Sequence, residues 1–191
     1  MVYGAFGGYG RSDFDFGSRA GSFDESDATL GGFVGWYGDQ AWVNAQLSYT
    51  WISYDVDRTV QLGPATRTHS GSPDGTNLSL GVHAGYEFGQ DAFRHGPVLG
   101  VLAQRIERDG YAESDASSTA LAYPDQDFDS LIGSAGWQVS YAINENVRPY
   151  ARLTYDREFE SPDEEAFASL QSMPGLAPYA VPGLDMDRGY G

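Results

Sequence analysis

The chain has 191 residues, a formal net charge of −16, 25 Gly, 13 Tyr, 4 Trp and no Cys. The acidic excess excludes a nucleic-acid partner, and the lack of Cys excludes disulfides, zinc–thiolate sites and a thiol nucleophile. Mean hydropathy is −0.40, and no apolar run approaches the roughly 20 residues of a spanning helix, which leaves membrane β-barrels open because their lipid-facing and lumen-facing residues alternate.

Period-two alternation, the mark of a strand with two different faces, runs through most of the chain. Weaker strands are expected at residues 2–16 and 28–37. Residues 41–54 are the clearest: Val43, Ala45, Leu47, Tyr49 and Trp51 fall on one face, and Asn44, Gln46, Ser48 and Thr50 on the other. Residues 77–88 place Leu78, Leu80, Val82, Ala84 and Tyr86 opposite Ser79, His83 and Glu87. Residues 97–108 are apolar on both sides at first, which leaves their outward face open. Residues 130–143 set Trp137, Val139 and Tyr141 against Gln138 and Ser140, and residues 147–159 set Leu153 and Tyr155 against Arg148 and Arg152. Alternation over about ten residues exceeds the usual soluble strand and suits a tilted membrane strand.

Connections alternate between short turns, at 38–40, 89–93 and 144–146, and long polar loops, at 17–27, 55–75, 109–127 and from 160 onward. Acidic residues collect in or beside the long loops, from Asp13, Asp24, Asp55 and Asp57 through Asp109 and Glu113 to Asp185 and Asp187. Such sorting is expected of an all-β, antiparallel, up-and-down transmembrane barrel with short periplasmic turns and long extracellular loops. Residues 160–191, rich in Pro, Gly and Ala, read as one long extracellular loop at the end of a single barrel domain spanning 1–191. No basic and apolar leader follows Met1. Seven strands is an odd count, and an open sheet in lipid leaves backbone groups unpaired, so further strands are expected beyond both ends.

Asn44, Gln46, His83, Glu87, Gln138, Arg148 and Arg152 are the lumen-facing candidates. Their opposed charges would hold an occupant of the pore, set ion selectivity or simply brace the wall. Tyr49, Trp51, Tyr86, Trp137, Tyr141 and Tyr155, with Tyr37, are expected at the membrane interfaces. Ser79, His83 and Glu87 share one face at four-residue spacing, but no nucleophile-elbow motif accompanies them, and a polar wall is the simpler reading. Alternate carboxylates at Asp13 and Asp15, Asp55 and Asp57, Asp125, Asp127 and Asp129, and Asp185 and Asp187 lack the glycine and distal Glu of a calcium loop; solvated charge accounts for them, and no metal, cofactor or catalytic residue is expected.

Three stretches carry a resemblance. RHGPVLGVLAQRIERDGYAESDASSTALAY at 94–123, DSLIGSAGWQVSY at 129–141 and RPYARLTYDREF at 148–159 resemble the translocator barrel of lipolytic autotransporters, those with a GDSL-type esterase passenger. The resemblance implies a twelve-stranded barrel, of which this chain holds about seven or eight strands, in a bacterial outer membrane. It implies type V secretion of an N-terminal passenger, esterase chemistry confined to that passenger, and a linker helix in the pore. It implies outer-membrane lipid, lipopolysaccharide, the barrel assembly machinery and the passenger as partners. The GDSL motif, the linker helix and a closing strand with a terminal aromatic have no counterpart in these residues. A passenger-less pore or an adhesin-type barrel is the alternative.

Overall fold

The computed structural model describes residues 1–15, 21–89, 92–114, 117–145, 147–160, 165–173, 178–182 and 189–190. These form strands β1 (Val2–Asp15), β2 (Gly21–Tyr37), β3 (Ala41–Leu62), β4 (Ala65–Gly71), β5 (Asp74–Tyr86), β6 (Phe93–Arg108), β7 (Tyr111–Ala112), β8 (Leu121–Tyr123), β9 (Gln126–Tyr141), β10 (Tyr150–Glu158), β11 (Glu165–Leu170), β12 (Tyr179–Pro182) and β13 (Gly189–Tyr190). The main sheet runs β1-β2-β3-β5-β6-β9-β10-β13, with β4 folded back on β3; a smaller sheet runs β12-β11-β8-β7. All of the pairing is antiparallel, and the seven expected strands are neighbours in their expected order.

Register explains the alternation. Ala45 sits opposite Val34 and Val82, and Val82 opposite Val101, so apolar residues line one face across four strands. The same register settles residues 97–108: Leu99 and Val101 join the apolar face and are 61% and 48% exposed, whereas Val98 turns the other way and is 4% exposed.

Two long connections expected as loops are largely strand. β2 starts at Gly21, and β3 continues eight residues past Tyr54 to a turn at Gly63, whose φ of +63° favours glycine. The strand does not end where its apolar side ends; the two sides exchange character. Beyond Trp51 the outward residues become Ser53, Asp55 and Asp57, while Ile52, Tyr54 and Val56 occupy the side that held Asn44 and Gln46. The residues after Glu160 also carry the short strands β11, β12 and β13. Phe16, Asp115, Asp185 and Asp187 lie outside the described residues.

The border of the apolar band falls at Tyr9 on β1, Ala28 on β2 and Trp51 on β3, which are direct neighbours. It then steps back to Leu78, opposite Tyr49, and to Ala103, opposite Leu80. An oblique border means strands tilted against the band, as in a sheet that curls into a barrel.

On the polar face, aromatic rings lie over glycines of neighbouring strands: Phe33 over Gly4, Phe6 over Gly31 and Trp42 over Gly85. A different glycine allows a sharper test. A Cβ on Gly136 would sit 2.1 Å from the carbonyl oxygen of Leu153 in β10, whereas one on Gly8 would meet nothing within 4 Å. Gly136→Ala is therefore expected to destabilise the β9–β10 pairing by about 1–3 kcal/mol, and Gly8→Ala to be neutral or slightly stabilising. Urea midpoints of the two variants in the full-length protein check this, and equal midpoints would contradict it.

Candidate functional site

The polar face gathers three of the nine described arginines, Arg94, Arg148 and Arg152, near the short-turn end. Arg94 Nη1 donates to Glu87 at 3.4 Å, Gln138 Nε2 donates to the same carboxylate at 3.5 Å, and Arg152 Nη2 donates to Gln138 at 3.2 Å. Glu87, Arg94, Gln138, Arg148 and Tyr150 line a cavity of about 210 Å³. Arg152 also lies over the ring of Trp42, 5.5 Å from its centroid. β3 and β10 have β5, β6 and β9 between them in the sheet. Their side chains meet only because the sheet curls with the polar face on the inside.

Asn44 and Gln46 lie on this concave face, beside Gly35 and Gly81 respectively. His83 does too, its ring across Gly100. The Glu87 carboxylate is committed to Arg94 and Gln138 rather than to His83, so the Ser79–His83–Glu87 spacing assembles no catalytic relay. Arg94 and Trp42 were not singled out from the sequence. Arg94 fell at the edge of a presumed turn, and the alternation that includes it starts only at Phe93.

Tyr49, Trp51 and Tyr155 stand at the loop-end border of the apolar band, and Tyr86, Trp137 and Tyr141 toward its turn-end border; all are more than a third exposed. Phe88, His95 and Trp137 form a stack there, with centroids 5.8 to 6.4 Å apart. Tyr37 is a correction: it lies on the polar face beside Gly35 and Asn44, because Trp36 takes the outward position.

At the loop end, the concave face carries a second cluster. Arg58 on β3 donates from Nε and Nη2 to the two oxygens of Glu113, each at 2.6 Å, and from Nη2 to the Thr119 carbonyl at 2.8 Å. Glu113 also accepts from the Leu121 backbone N–H at 2.8 Å. His69, opposite Arg58 in the β3–β4 hairpin and fully buried, bonds Thr119 Oγ1 at 2.9 Å. Gln171, just after β11, donates to the Glu113 and Leu121 carbonyls. Tyr111 and Tyr123 stack at 4.7 Å beneath Arg108, and burial pushes the Tyr111 phenol up to about 12. Arg108 falls at the end of the strand expected at 97–108, and the rest of the cluster falls in segments expected as loops; the signal for Arg58 is the continued alternation past Tyr54 with its apolar side exchanged.

A profile described as Autotransporter beta-domain matches residues 1–191. The chain belongs to the autotransporter β-domain family. It is 29% identical over 176 residues to Esterase EstA of Pseudomonas aeruginosa and, at the same identity, to Esterase EstA of Pseudomonas putida, covering 90% of this chain and 27% of each of those proteins. It is 26% identical over 125 residues to Lipase 1 of Photorhabdus luminescens, covering 64% of this chain and 19% of that one. The chain thus spans about a quarter of the length of its curated esterase relatives. The translocator domain of autotransporter NalP from Neisseria meningitidis shares the fold, with a TM-score of 0.68 at 18% identity over 87% of this chain and 62% of that one. An autotransporter β-domain is a translocator of the bacterial outer membrane through which its own passenger is exported, and it is not itself a catalyst. No helix among the described residues is long and apolar enough to cross a membrane.

Proposed function

We propose that this β-domain forms much of the wall of a pore that exports an N-terminal esterase passenger and tethers it at the cell surface. The segregation of the two faces carries the reading. The apolar side has aromatic borders and, at about 3.3 Å per residue along a tilted strand, a height of roughly 25 Å, the thickness of an outer-membrane apolar band. The concave side offers Asn44, Gln46, Gln138, Arg148 and Arg152 to a passing polypeptide.

The passenger's chemistry is inferred from the esterase names of the relatives. The loop end faces outside in this reading, where its acidic residues meet lipopolysaccharide and water. The turn end faces the periplasm, where the barrel assembly machinery acts. Outer-membrane lipid covers Leu47, Val82 and Leu99.

These 191 residues hold no Cys, so single cysteines placed in them report orientation when read against the unsubstituted full-length protein. In intact cells making the full-length protein, Thr66→Cys is expected to react with a membrane-impermeant maleimide and Asp39→Cys to be protected. Ester hydrolysis by the same cells is expected to disappear on external protease treatment. Labelling at Asp39→Cys alone would reverse the orientation, and protease-resistant hydrolysis would remove the surface passenger.

A further inference from the structure

We propose that β7, β8 and β11 form a lid over the outer mouth of the pore, held shut by the Arg58–Glu113 pair. The inference rests on the reading that the concave face lines that pore. Three separate connections meet there: Arg58 and His69 come from the β3–β4 hairpin, Glu113 and Thr119 from the excursion between β6 and β9, and Gln171 from the segment after β10. All of them leave the sheet at the same end, and all turn to the inside of its curl. Of the four buried apolar residues described, three (Ala120, Leu121 and Ala168) belong to this assembly.

The nature of the contact suits a closure that opens. Within the lid, β8 pairs with β7 and β11, and Gln171 ties the two sides together. Apart from the Tyr111 ring, which lies on Gly71 and with Tyr123 beneath Arg108, the sheet holds it by polar groups: the two Arg58–Glu113 bonds, the bonds from Arg58 and His69 to Thr119, and the reciprocal bonds between Ser70 and Ser114. An apolar core would fix the lid permanently. A few directional bonds around a buried ion pair define two discrete states instead, docked or released. An exported chain passing along the concave face would have to displace the lid. Once transit is complete, the pair re-forms and closes the pore to small solutes.

A staple tests this. Ser70 N donates to Ser114 Oγ at 3.0 Å and Ser114 N to Ser70 O at 2.7 Å, so cysteines at both positions are close enough to bridge. In cells making the full-length protein with Ser70→Cys and Ser114→Cys, surface passenger is expected to be lost under oxidising conditions and restored to the wild-type level by a reductant in the medium. Either single variant should display normally. In planar bilayers, Glu113→Gln is expected to raise the open fraction of the purified protein about tenfold, since a buried charge that loses its partner shifts a two-state balance at least that far. The oxidised double variant should stay shut. Display at the wild-type level with the disulfide verified would overturn the lid, as would an unchanged open fraction for Glu113→Gln. Absence of surface passenger in the wild type would instead count against the translocator reading, and the bilayer comparison would still decide the lid.

Discussion

Leu47→Arg is expected to prevent this β-domain from assembling in the outer membrane, while Ser48→Arg, one residue along the same strand, leaves assembly intact. Leu47 is half exposed on the apolar face, opposite Gly32 and Leu80, midway along β3 between its two borders. A guanidinium there would enter hydrocarbon with no carboxylate within reach, because the outward acids begin only at Asp55 on the same strand. The cost near the midplane is roughly 2–4 kcal/mol, a large part of the margin of an ordinary fold. Snorkelling lowers it only near the borders, and Leu47 is several residues from either. Ser48 and Ser79 pair with each other on the polar face, where an added cation finds water and polar neighbours. The same contrast holds between Val82→Arg and Ser79→Arg. Heat-modifiable migration of outer-membrane fractions reads the outcome; equal tolerance on the two faces would mean that the apolar band does not face lipid.

The contrast between those faces was legible in the sequence because strand geometry is simple. Side chains alternate with period two, so Leu47 and Ser48 can be assigned before any coordinate is known. The seven main strands and their order follow from the same rule. What escaped was the outer end of the sheet. The rule as applied assumes that the apolar side stays the same along a strand, and it stopped at Tyr54 because Ile52, Tyr54 and Val56 are apolar on the wrong side. The backbone continues unchanged; the surroundings change. Below the border the outside is apolar and the inside polar. Above it the outside, with Asp13, Asp24 and Asp55 in one lateral row, suits water, and the inside packs Phe14, Phe23 and Tyr54 ring against ring at 5.9 and 5.5 Å. A reading that let the sides exchange would have extended β3 to Leu62 and placed Arg58 on the inside. Glu113 could not have been joined to Arg58 that way, since the contact links residues 55 apart through a non-repeating excursion.

That contact is the basis of the second large effect. Glu113→Ala is expected to release the β7–β8–β11 assembly from the sheet while the sheet itself persists. The Glu113 side chain is 3% exposed and accepts three hydrogen bonds, from Arg58 Nε, Arg58 Nη2 and Leu121 N. Alanine removes both acceptor oxygens, and with them all three bonds, at once. Arg58 keeps the Thr119 carbonyl, but its charge is left in a partly desolvated site, and the Leu121 N–H loses its partner. Breaking a buried pair in this way costs about 3–5 kcal/mol, and the 30% exposure of the Arg58 side chain places the effect toward the lower figure. The buried apolar residues that remain offset only part of it, since Ala120 and Ala168 bury one methyl each and Leu121 is the single larger side chain among them. Glu113→Gln retains one oxygen acceptor and is expected to lose less. Hydrogen exchange in the full-length protein separates the possibilities. The amides of Ser114, Leu121 and Gln171 should exchange much faster in the alanine variant, and those of Leu47, Leu80 and Val101 at the wild-type rate. Equal acceleration in both groups would make the cluster part of the sheet's own cooperative unit rather than a separate piece docked upon it.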